Sequence, residues 1–166
     1  MPALSDTMRD ALNEQANAEL ASAYLYLGMS AFCAGRNLTG AAHWLRLQWQ
    51  EELGHATKLI DYVTERGGQV VLKAIAQPPD RFGSLAELFR RVLAHEQEVT
   101  AAIYRLCDLA AKEKDYAAQA LLQWYVDEQV EEEKSAAEVL AMLDLAGDSG
   151  AALLMVDRQL AQRAAS

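Results

Sequence analysis

The sequence predicts an all-α protein: a four-helix bundle with one long crossover and a short fifth helix at its C-terminal end. Helix-favouring Ala, Leu, Glu, Gln and Arg dominate the 166 residues, 52% of which are hydrophobic. β-Branched residues are scarce and never alternate with polar residues over the length of a strand. The length suits one ordinary domain with a sizeable core, so we expect a single domain over residues 1–166.

The first two predicted helices form a hairpin. Ser5 can cap a helix that ends near Ala34, where Gly35 stops it. A second helix is predicted to start near Leu38 and to end before the pair Gly67–Gly68. Because the connection between them is short, the two helices are expected to be antiparallel neighbours.

The second half of the chain predicts another hairpin and then a short helix. Ser84–Glu87 reads "SLAE", which has the form of a capping box and begins a third helix that ends near Lys112. Asp115 can cap a fourth helix. The bundle is thus predicted to span about 5–146 and the fifth helix about 149–162.

The stretch 67–83 is predicted to be the crossover, because it contains three Gly and both members of the Pro78–Pro79 pair. Its 17 residues reach roughly 56 Å when extended at about 3.3 Å per residue. A helix of about 28 residues is about 42 Å long. The crossover can therefore run the length of the bundle and make the second and third helices parallel.

Polar residues interrupt the apolar stripe near the middle of each long helix. In the second helix, Glu52 and His55 share a face with Leu45 and Leu59, which points toward the core. The interrupting residues of the four stripes are Glu19, Glu52, His55, Glu96, Gln129 and Glu132. Glu19 and Glu52 are 33 residues apart, and so are Glu96 and Gln129, so the two hairpins would bring all six side chains to one level.

Four carboxylates and one imidazole in a core predict a dinuclear metal centre. A single Glu on such a stripe would more simply reach solvent at its edge, but four facing carboxylates repel one another. Each buried ion costs several kcal/mol, and no Lys or Arg lies on these stripes. Two divalent cations would balance the four charges. Oxygen-rich ligation with one imidazole suits iron or manganese, although zinc can also bind such ligands.

Three blocks of the sequence resemble bacterial non-haem ferritins. They are "LNEQANAELASAYLYLGMSAFC", "WLRLQWQEELGHATKLIDYV" and "LLQWYVDEQVEEEKSA", and the resemblance covers about residues 4–162. It implies a ferritin-like bundle that stores and detoxifies iron. In this family a ferroxidase centre oxidises Fe(II) with O₂ or peroxide, and ferric mineral is stored inside a 24-subunit cage.

The resemblance also implies a role for each candidate residue. Glu19, Glu52 and His55 match the ligands of the first iron, with Glu52 bridging to the second. Glu96 and Glu132 match the ligands of the second iron, with Gln129 beside it. Glu52 and Tyr26 are the predicted catalytic residues, because Tyr26 matches the family's tyrosine next to the centre; a core Tyr with a satisfied hydroxyl is the alternative.

Further residues are assigned by the same resemblance. Glu51, Glu128 and Glu131 match a third iron site, for which a solvated acidic face is the alternative. Trp124 is foremost a core anchor and secondarily an electron donor. No haem is expected, because Leu53 stands where bacterioferritins place a haem-ligating Met. His43 and His95 match no ligand of the family and are expected to be structural. Cys33 and Cys107 are isolated in the sequence, and we expect them to be buried or incidental reduced thiols.

The fifth helix, "GAALLMVDRQLAQ", is too short to be stable alone and needs another surface. From the sequence, that surface could be the end of its own bundle or a neighbouring subunit. In ferritins the equivalent helix clusters around a four-fold axis of the shell. The resemblance therefore implies self-assembly into a homo-oligomeric cage of 24 chains.

Charge and hydropathy restrict the other partners. A net charge of −9 provides no basic footprint for phosphate groups, so nucleic acid is not expected. No apolar run approaches the length that spans a bilayer, and "MPALSDTMRD" lacks the features of a signal peptide. We therefore expect a cytoplasmic protein without a membrane partner.

Two alternative functions remain open at this point. A di-iron oxidase or oxygenase acting on a small organic substrate would need an apolar pocket beside the metals. Large residues near the site, Tyr26, Tyr125 and Trp49, suggest little room for one. The other alternative is a structural bundle with vestigial metal affinity.

Overall fold

The computed structural model describes residue 1 and residues 3–166, and in these ranges it contains five α-helices and no strand. The helices are α1 (Asp6–Ala34), α2 (Thr39–Glu65), α3 (Leu85–Glu113), α4 (Tyr116–Ala146) and α5 (Gly150–Leu160). The all-α prediction with a short fifth helix is confirmed. Within the described ranges, every helix is too short or too polar to traverse a bilayer.

Predicted side-chain caps begin α1, α3 and α4. Ser5 Oγ accepts from the Met8 amide at 3.0 Å, and Asp115 Oδ1 accepts from the Ala118 amide at 3.0 Å. Ser84 and Glu87 form the predicted capping box at the start of α3. Each of these bonds satisfies an amide that the first helical turn leaves without a partner. The helix starts are therefore encoded locally.

The turn after α1 differs from the prediction in one detail. The helix ends at Ala34 as expected, but Gly35 keeps a right-handed backbone with φ −64°. Asn37, with φ 61°, supplies the left-handed residue instead. Asn tolerates this region better than most residues because its short polar side chain bonds locally.

The hydrophobic core consists of two clusters, one toward each end of the bundle, and their composition gives the helix directions. One cluster combines the ends of α1 and α4 with the starts of α2 and α3: Tyr26, Met29, Trp44, Leu45, Phe89, Val92, Ala136 and Val139 are among its members. The other combines the opposite ends: Met8, Leu12, Leu59, Val63, Ile103, Leu106, Ala118 and Leu122. Helices α2 and α3 are therefore parallel, and the predicted long crossover is confirmed.

Two asparagines of α1 tie the crossover to the bundle. Asn13 Nδ2 donates to the Gln69 carbonyl (2.9 Å), and its Oδ1 accepts from the Val71 amide (2.8 Å). Asn17 Nδ2 donates to the Val71 carbonyl (2.8 Å), and its Oδ1 accepts from the Lys73 amide (2.7 Å). These carboxamides satisfy backbone groups of an extended segment that has no neighbouring strand to pair with.

Helix α5 supplies the cap that α2 lacks. The residue before α2, Leu38, makes no side-chain capping bond. Asp157 of α5 instead accepts from the Gly40 amide (3.1 Å) and the Ala41 amide (2.8 Å). A carboxylate at a helix N-terminus is favoured both by these bonds and by the helix dipole. Helix α5 is thereby docked on its own chain.

Candidate metal centre

Between the two apolar clusters lies a layer of buried polar side chains contributed by all four long helices. It contains all six residues that interrupt the predicted stripes: Glu19, Glu52, His55, Glu96, Gln129 and Glu132, none of which is more than 6% exposed. Each side chain faces inward because it stands at helical spacing with the apolar residues of its own helix. The sequence pattern thus leads to one internal cluster.

The carboxylates and the imidazole form two groups that share Glu52. Ligand atoms of Glu19, Glu52 and His55 all lie within 4.8 Å of one another, and so do those of Glu52, Glu96 and Glu132. His55 Nδ1 lies 3.6 Å from Glu52 Oε2, which is too far for a good hydrogen bond. Each group offers carboxylate oxygens at a separation that a divalent cation could bridge.

Two carboxylate oxygens in this layer have no hydrogen-bond partner. Among the described residues, Glu19 Oε2 and Glu52 Oε2 are buried side-chain atoms without a hydrogen bond, whereas Glu19 Oε1 accepts from Gln15 Nε2 at 2.8 Å. An unpaired buried acceptor loses its hydration without compensation, and an unpaired charge loses more. Both atoms belong to the first group, where a cation would compensate them. The donor set therefore fits a metal ion.

The second group is held by neutral donors. Tyr26 donates its hydroxyl hydrogen to Glu96 Oε1, and Gln129 Nε2 lies 3.2 Å from Glu96 Oε2. Gln48 Nε2 donates to Glu132 Oε2 at 2.5 Å. In this geometry Gln129, predicted beside the second metal, presents its nitrogen to Glu96 and acts as a donor. Both oxygens of Glu96 therefore accept a hydrogen bond, and a metal would use a remaining lone pair on one of them.

Burial raises the pKa of these carboxyl groups. Desolvation, with the charges of Glu19 and Glu96, raises the pKa of Glu52 well above its ordinary value. Desolvation also raises the pKa of Glu96 to about 7 and, with the charge of Glu96, that of Glu132 to about 8. The Tyr26 hydroxyl is buried beside these carboxylates, which raises its pKa too. Without metal, the cluster retains protons near neutral pH.

Metal binding is expected to release protons, and more of them at lower pH. The raised pKa values keep the Glu96 and Glu132 carboxyls largely protonated at about pH 6.5, whereas ligation needs the ionised forms. Above about pH 9 both would already be ionised, so Zn²⁺ should displace fewer protons and bind more tightly. Calorimetry in buffers of different ionisation enthalpy measures the proton count. An equal count at both pH values would contradict this account of the cluster.

Two glutamines contact the candidate ligands although no role was predicted for either of them. Gln48 stands at helical spacing with Leu45, Glu52 and His55 on α2, and its Nε2 donates to Glu132 Oε2. Gln15 bonds Glu19 from one helical turn earlier. The (i, i+4) spacing of Gln15 and Glu19 was a local signal that could have identified it. No comparable signal pairs Gln48 with a residue 84 positions away.

The three residues predicted for a third iron site have different surroundings. Glu128 Oε2 lies 3.7 Å from His55 Nε2, and Glu128 forms a further close group with His55 and Glu132. Glu51 is instead paired with Arg163, whose Nη2 lies 2.6 Å from Glu51 Oε2. Glu131 is exposed on α4. The structure thus brings Glu128 to the cluster and engages Glu51 elsewhere.

Aromatic side chains surround His55. The Trp124 ring meets the imidazole edge to face, with ring centres 5.5 Å apart, and the Tyr125 hydroxyl donates to the His55 carbonyl at 2.7 Å. An open groove of about 730 Å³ along α2 and α4 includes His55 and Trp124 in its lining. The groove touches the centre at His55, and none of the four buried carboxylates is part of its lining.

The two other histidines take part in separate contacts. His43 Nε2 lies 2.8 Å from the Arg163 carbonyl oxygen, and His95 Nε2 lies 2.8 Å from Ser22 Oγ. Of the cysteines, Cys33 is buried and Cys107 is partly buried, and both are free thiols. Burial raises the pKa of the Cys33 thiol to about 12, which keeps it protonated and unreactive.

Comparisons of the sequence with known proteins agree with one another. The family described as "Ferritin-like domain" matches residues 9–146. A "Bacterial non-heme ferritin" of Bacteroides fragilis (strain 638R) is 41% identical over 160 residues, which are 96% of this chain and 99% of the relative. One of the same name from Escherichia coli O6:H1 is 41% identical over 157 residues, 95% of each chain.

Solved structures extend this agreement to three dimensions. A structure described as "a novel open pore ferritin from the hyperthermophilic Archaeon Archaeoglobus fulgidus" superimposes with a TM-score of 0.96 at 47% identity, covering 98% of this chain and 100% of that one. A "Humanized Archaeal ferritin" gives a TM-score of 0.97 at 45% identity, covering 99% of each chain. The likeness therefore includes α5 as well as the four long helices.

Proposed function

The chain belongs to the ferritin family, and on this premise we propose that it is a ferroxidase that oxidises Fe(II) at the buried carboxylate cluster and stores the ferric product. The oxidant would be O₂ or peroxide. The observation that carries the proposal is the pair of buried oxygens, Glu19 Oε2 and Glu52 Oε2, that have no hydrogen-bond partner. A metal cation would compensate both oxygens, and in its absence the raised pKa of Glu52 keeps a proton in the cluster instead.

Two iron ions would be held by the two groups of ligands. Glu19 and His55 would hold the first ion, Glu96 and Glu132 the second, and Glu52 belongs to both groups. Iron bound there supplies one-electron redox chemistry, and the protein contributes ligand placement, charge and exclusion of competing reactions. The four carboxylates would also favour the higher charge of Fe(III) over that of Fe(II).

Tyr26 is the second residue proposed to serve the reaction. Its hydroxyl is fully buried and donates to Glu96 Oε1, while Gln129 donates to Glu96 Oε2. The two donors fix the orientation of this ligand, and a metal would use a remaining lone pair of the carboxylate. The raised pKa keeps the phenol protonated and able to donate. Tyr26 thus lies directly against the centre.

A third iron site remains part of the proposal. The close group of His55, Glu128 and Glu132 supports a position for a further ion on the α4 side of the centre. Glu51 would join such a site once it separates from Arg163, and Glu131 would join it from the exposed face. Iron leaving the centre would then pass along acidic side chains.

Oxygen consumption tests the ferroxidase proposal. Metal-free protein given Fe(II) in air should consume O₂ faster than Fe(II) in buffer. Prior loading with Zn²⁺, which is redox-inert and uses the same ligand types, should suppress that rate. Consumption that equals the buffer rate, or that Zn²⁺ leaves unchanged, would contradict it.

We further propose a cage of 24 chains, and light scattering tests it. Docked on its own bundle, α5 still leaves Leu154 and Met155 57% and 72% exposed, and Leu145 near the end of α4 is 89% exposed. Leu154 and Met155 are neighbours in α5, and large apolar side chains exposed side by side favour coverage by a neighbouring subunit. The expected particle at neutral pH has a mass near that of 24 chains. A mass of one or two chains at all concentrations would exclude the cage and, with it, storage.

A further inference from the structure

The segment after α5 folds back onto α2 and places a cation close to the proposed ligands. Arg163 Nη1 donates to Gln48 Oε1 at 3.0 Å and to the Trp44 carbonyl at 3.1 Å. Its Nη2 lies 2.6 Å from Glu51 Oε2, and the guanidinium carbon lies 4.2 Å from the centre of the Trp44 ring. The Arg163 side chain is only 17% exposed, so these contacts hold it in one orientation.

Gln48 lies between Arg163 and the proposed ligand Glu132 and bonds both. It is fully buried, and its Nε2 donates to Glu132 Oε2 at 2.5 Å. A carboxamide has one accepting and one donating end, an arginine only donates, and a carboxylate only accepts. Arg163 therefore requires the oxygen of Gln48, which leaves the Gln48 nitrogen for Glu132. The guanidinium determines which end of the amide faces the centre.

We propose that Arg163 is a positioning residue of the metal centre, which acts through Gln48 to hold Glu132 in the orientation that binds the second ion. This inference rests on the proposed function, since Glu132 is a ligand of the proposed centre. Residues that hydrogen-bond a ligating side chain typically contribute about 10- to 100-fold to metal affinity. The C-terminal segment would thus belong to the site as well as to the fold.

The docking of α5 explains how a residue so far along the chain reaches the site. Asp157 binds the first amides of α2, and Leu160 is buried in the cluster at that end of the bundle. Arg163 follows Leu160 by three residues, and its amide bonds the Leu160 carbonyl at 3.2 Å. The same helix that caps α2 therefore delivers the guanidinium to Gln48 on α2.

The charge of Arg163 and its positioning contact predict opposite changes in metal affinity when Arg163 is removed. The guanidinium is a positive charge near a cation site, and its removal would also leave Glu51 uncompensated, so charge alone predicts tighter metal binding. Loss of positioning predicts weaker binding, and for the second ion alone. The direction of the change therefore identifies which effect operates.

Cobalt binding to the metal-free full-length protein tests the inference. Co²⁺ reports each site through its visible absorption and needs no turnover. In Arg163→Met we expect the affinity for the second Co²⁺ per chain to fall about 10-fold, with the first unchanged within about two-fold. Gln48→Leu should do the same. The exposed Arg158 of α5 provides a matched control, since Arg158→Met should leave both affinities unchanged.

The double variant decides whether Arg163 acts through Gln48. Arg163→Met in the Gln48→Leu background should add no more than about two-fold, because residues acting in one chain of contacts are not additive. The inference would be overturned if the losses of affinity in the two single variants multiplied in the double variant. It would also be overturned if Arg163→Met bound the second Co²⁺ as tightly as wild type, or more tightly. If Arg163→Met does not assemble, Gln48→Leu still provides the test: an unchanged affinity for the second Co²⁺ in that variant would overturn the inference. A wild-type chain that binds fewer than two Co²⁺ ions would instead refute the proposed centre itself.

Discussion

Replacing Glu52 with Ala is expected to abolish the binding of both metal ions and to reduce Fe(II)-dependent O₂ consumption to the rate in buffer. Glu52 contributes ligand atoms to both close groups, so its loss affects each ion. Equilibrium Zn²⁺ binding and an oxygen electrode measure the two effects. By contrast, Glu132→Ala should weaken mainly the second ion, because Glu132 is absent from the group that contains Glu19.

A neighbouring carboxylate provides the control for this prediction. Glu133 follows Glu132 directly but accepts a hydrogen bond from Thr100 Oγ1 at 2.7 Å and lies outside both groups. Glu133→Ala should therefore retain both ions. Glu52→Gln controls for unfolding. The raised pKa of Glu52 favours the protonated carboxyl in the metal-free protein, and Gln is similar to that form in size and charge. Glu52→Gln should therefore melt close to metal-free wild type and still lose both ions. One ion bound at full oxidation rate in Glu52→Ala would refute the shared-ligand assignment.

Replacing Gly40 with Ala is expected to displace α5 and to destabilise the fold by about 3 kcal/mol, the upper end of the range for overpacking. A Cβ at Gly40 would lie 1.7 Å from the Asp157 carbonyl oxygen and 2.6 Å from its carbonyl carbon. Both are backbone atoms of α5, so no side-chain rotation relieves the clash. Thermal unfolding measures the stability, and limited proteolysis after residue 146 reports whether α5 is docked.

Helix α2, which contains Gly40, also provides the matched control. Gly54 is exposed, and a Cβ there meets no atom within 4 Å. Gly54→Ala should therefore stabilise α2 by about 0.5–1 kcal/mol through helix propensity. Equal melting temperatures for Gly40→Ala and Gly54→Ala would show that α5 is not held against α2 as described here.

Much of the fold and the position of the cluster could be predicted because the signals are local. Ser84 and Glu87 lie three residues apart and mark a helix start in any context. The carboxylates were found from their position on helical stripes, where a charge among apolar residues demands compensation. Helix ends and inward-facing residues thus follow from spacing along the chain.

The contacts of α5 could not be predicted, because they join residues more than 110 positions apart. Nothing in the sequence around Leu38 shows that α2 takes its cap from Asp157. Spacing placed Gln48 and Gln129 on the inner face of their helices, but it does not orient a carboxamide. Their donating ends are set by partners on other elements: Glu132 and Arg163 for Gln48, and Glu96 for Gln129.

Iron loading tests whether this chain both oxidises iron at the buried cluster and stores the product. Metal-free protein would be given Fe(II) in air, far beyond two ions per chain, then separated by size and assayed for protein and iron. We expect ferric iron well in excess of two ions per chain to elute with a large assembly, and Glu52→Ala to retain far less under the same loading. Iron retained at no more than two ions per chain, with undiminished O₂ consumption, would contradict storage and favour a di-iron oxidase acting on an organic substrate.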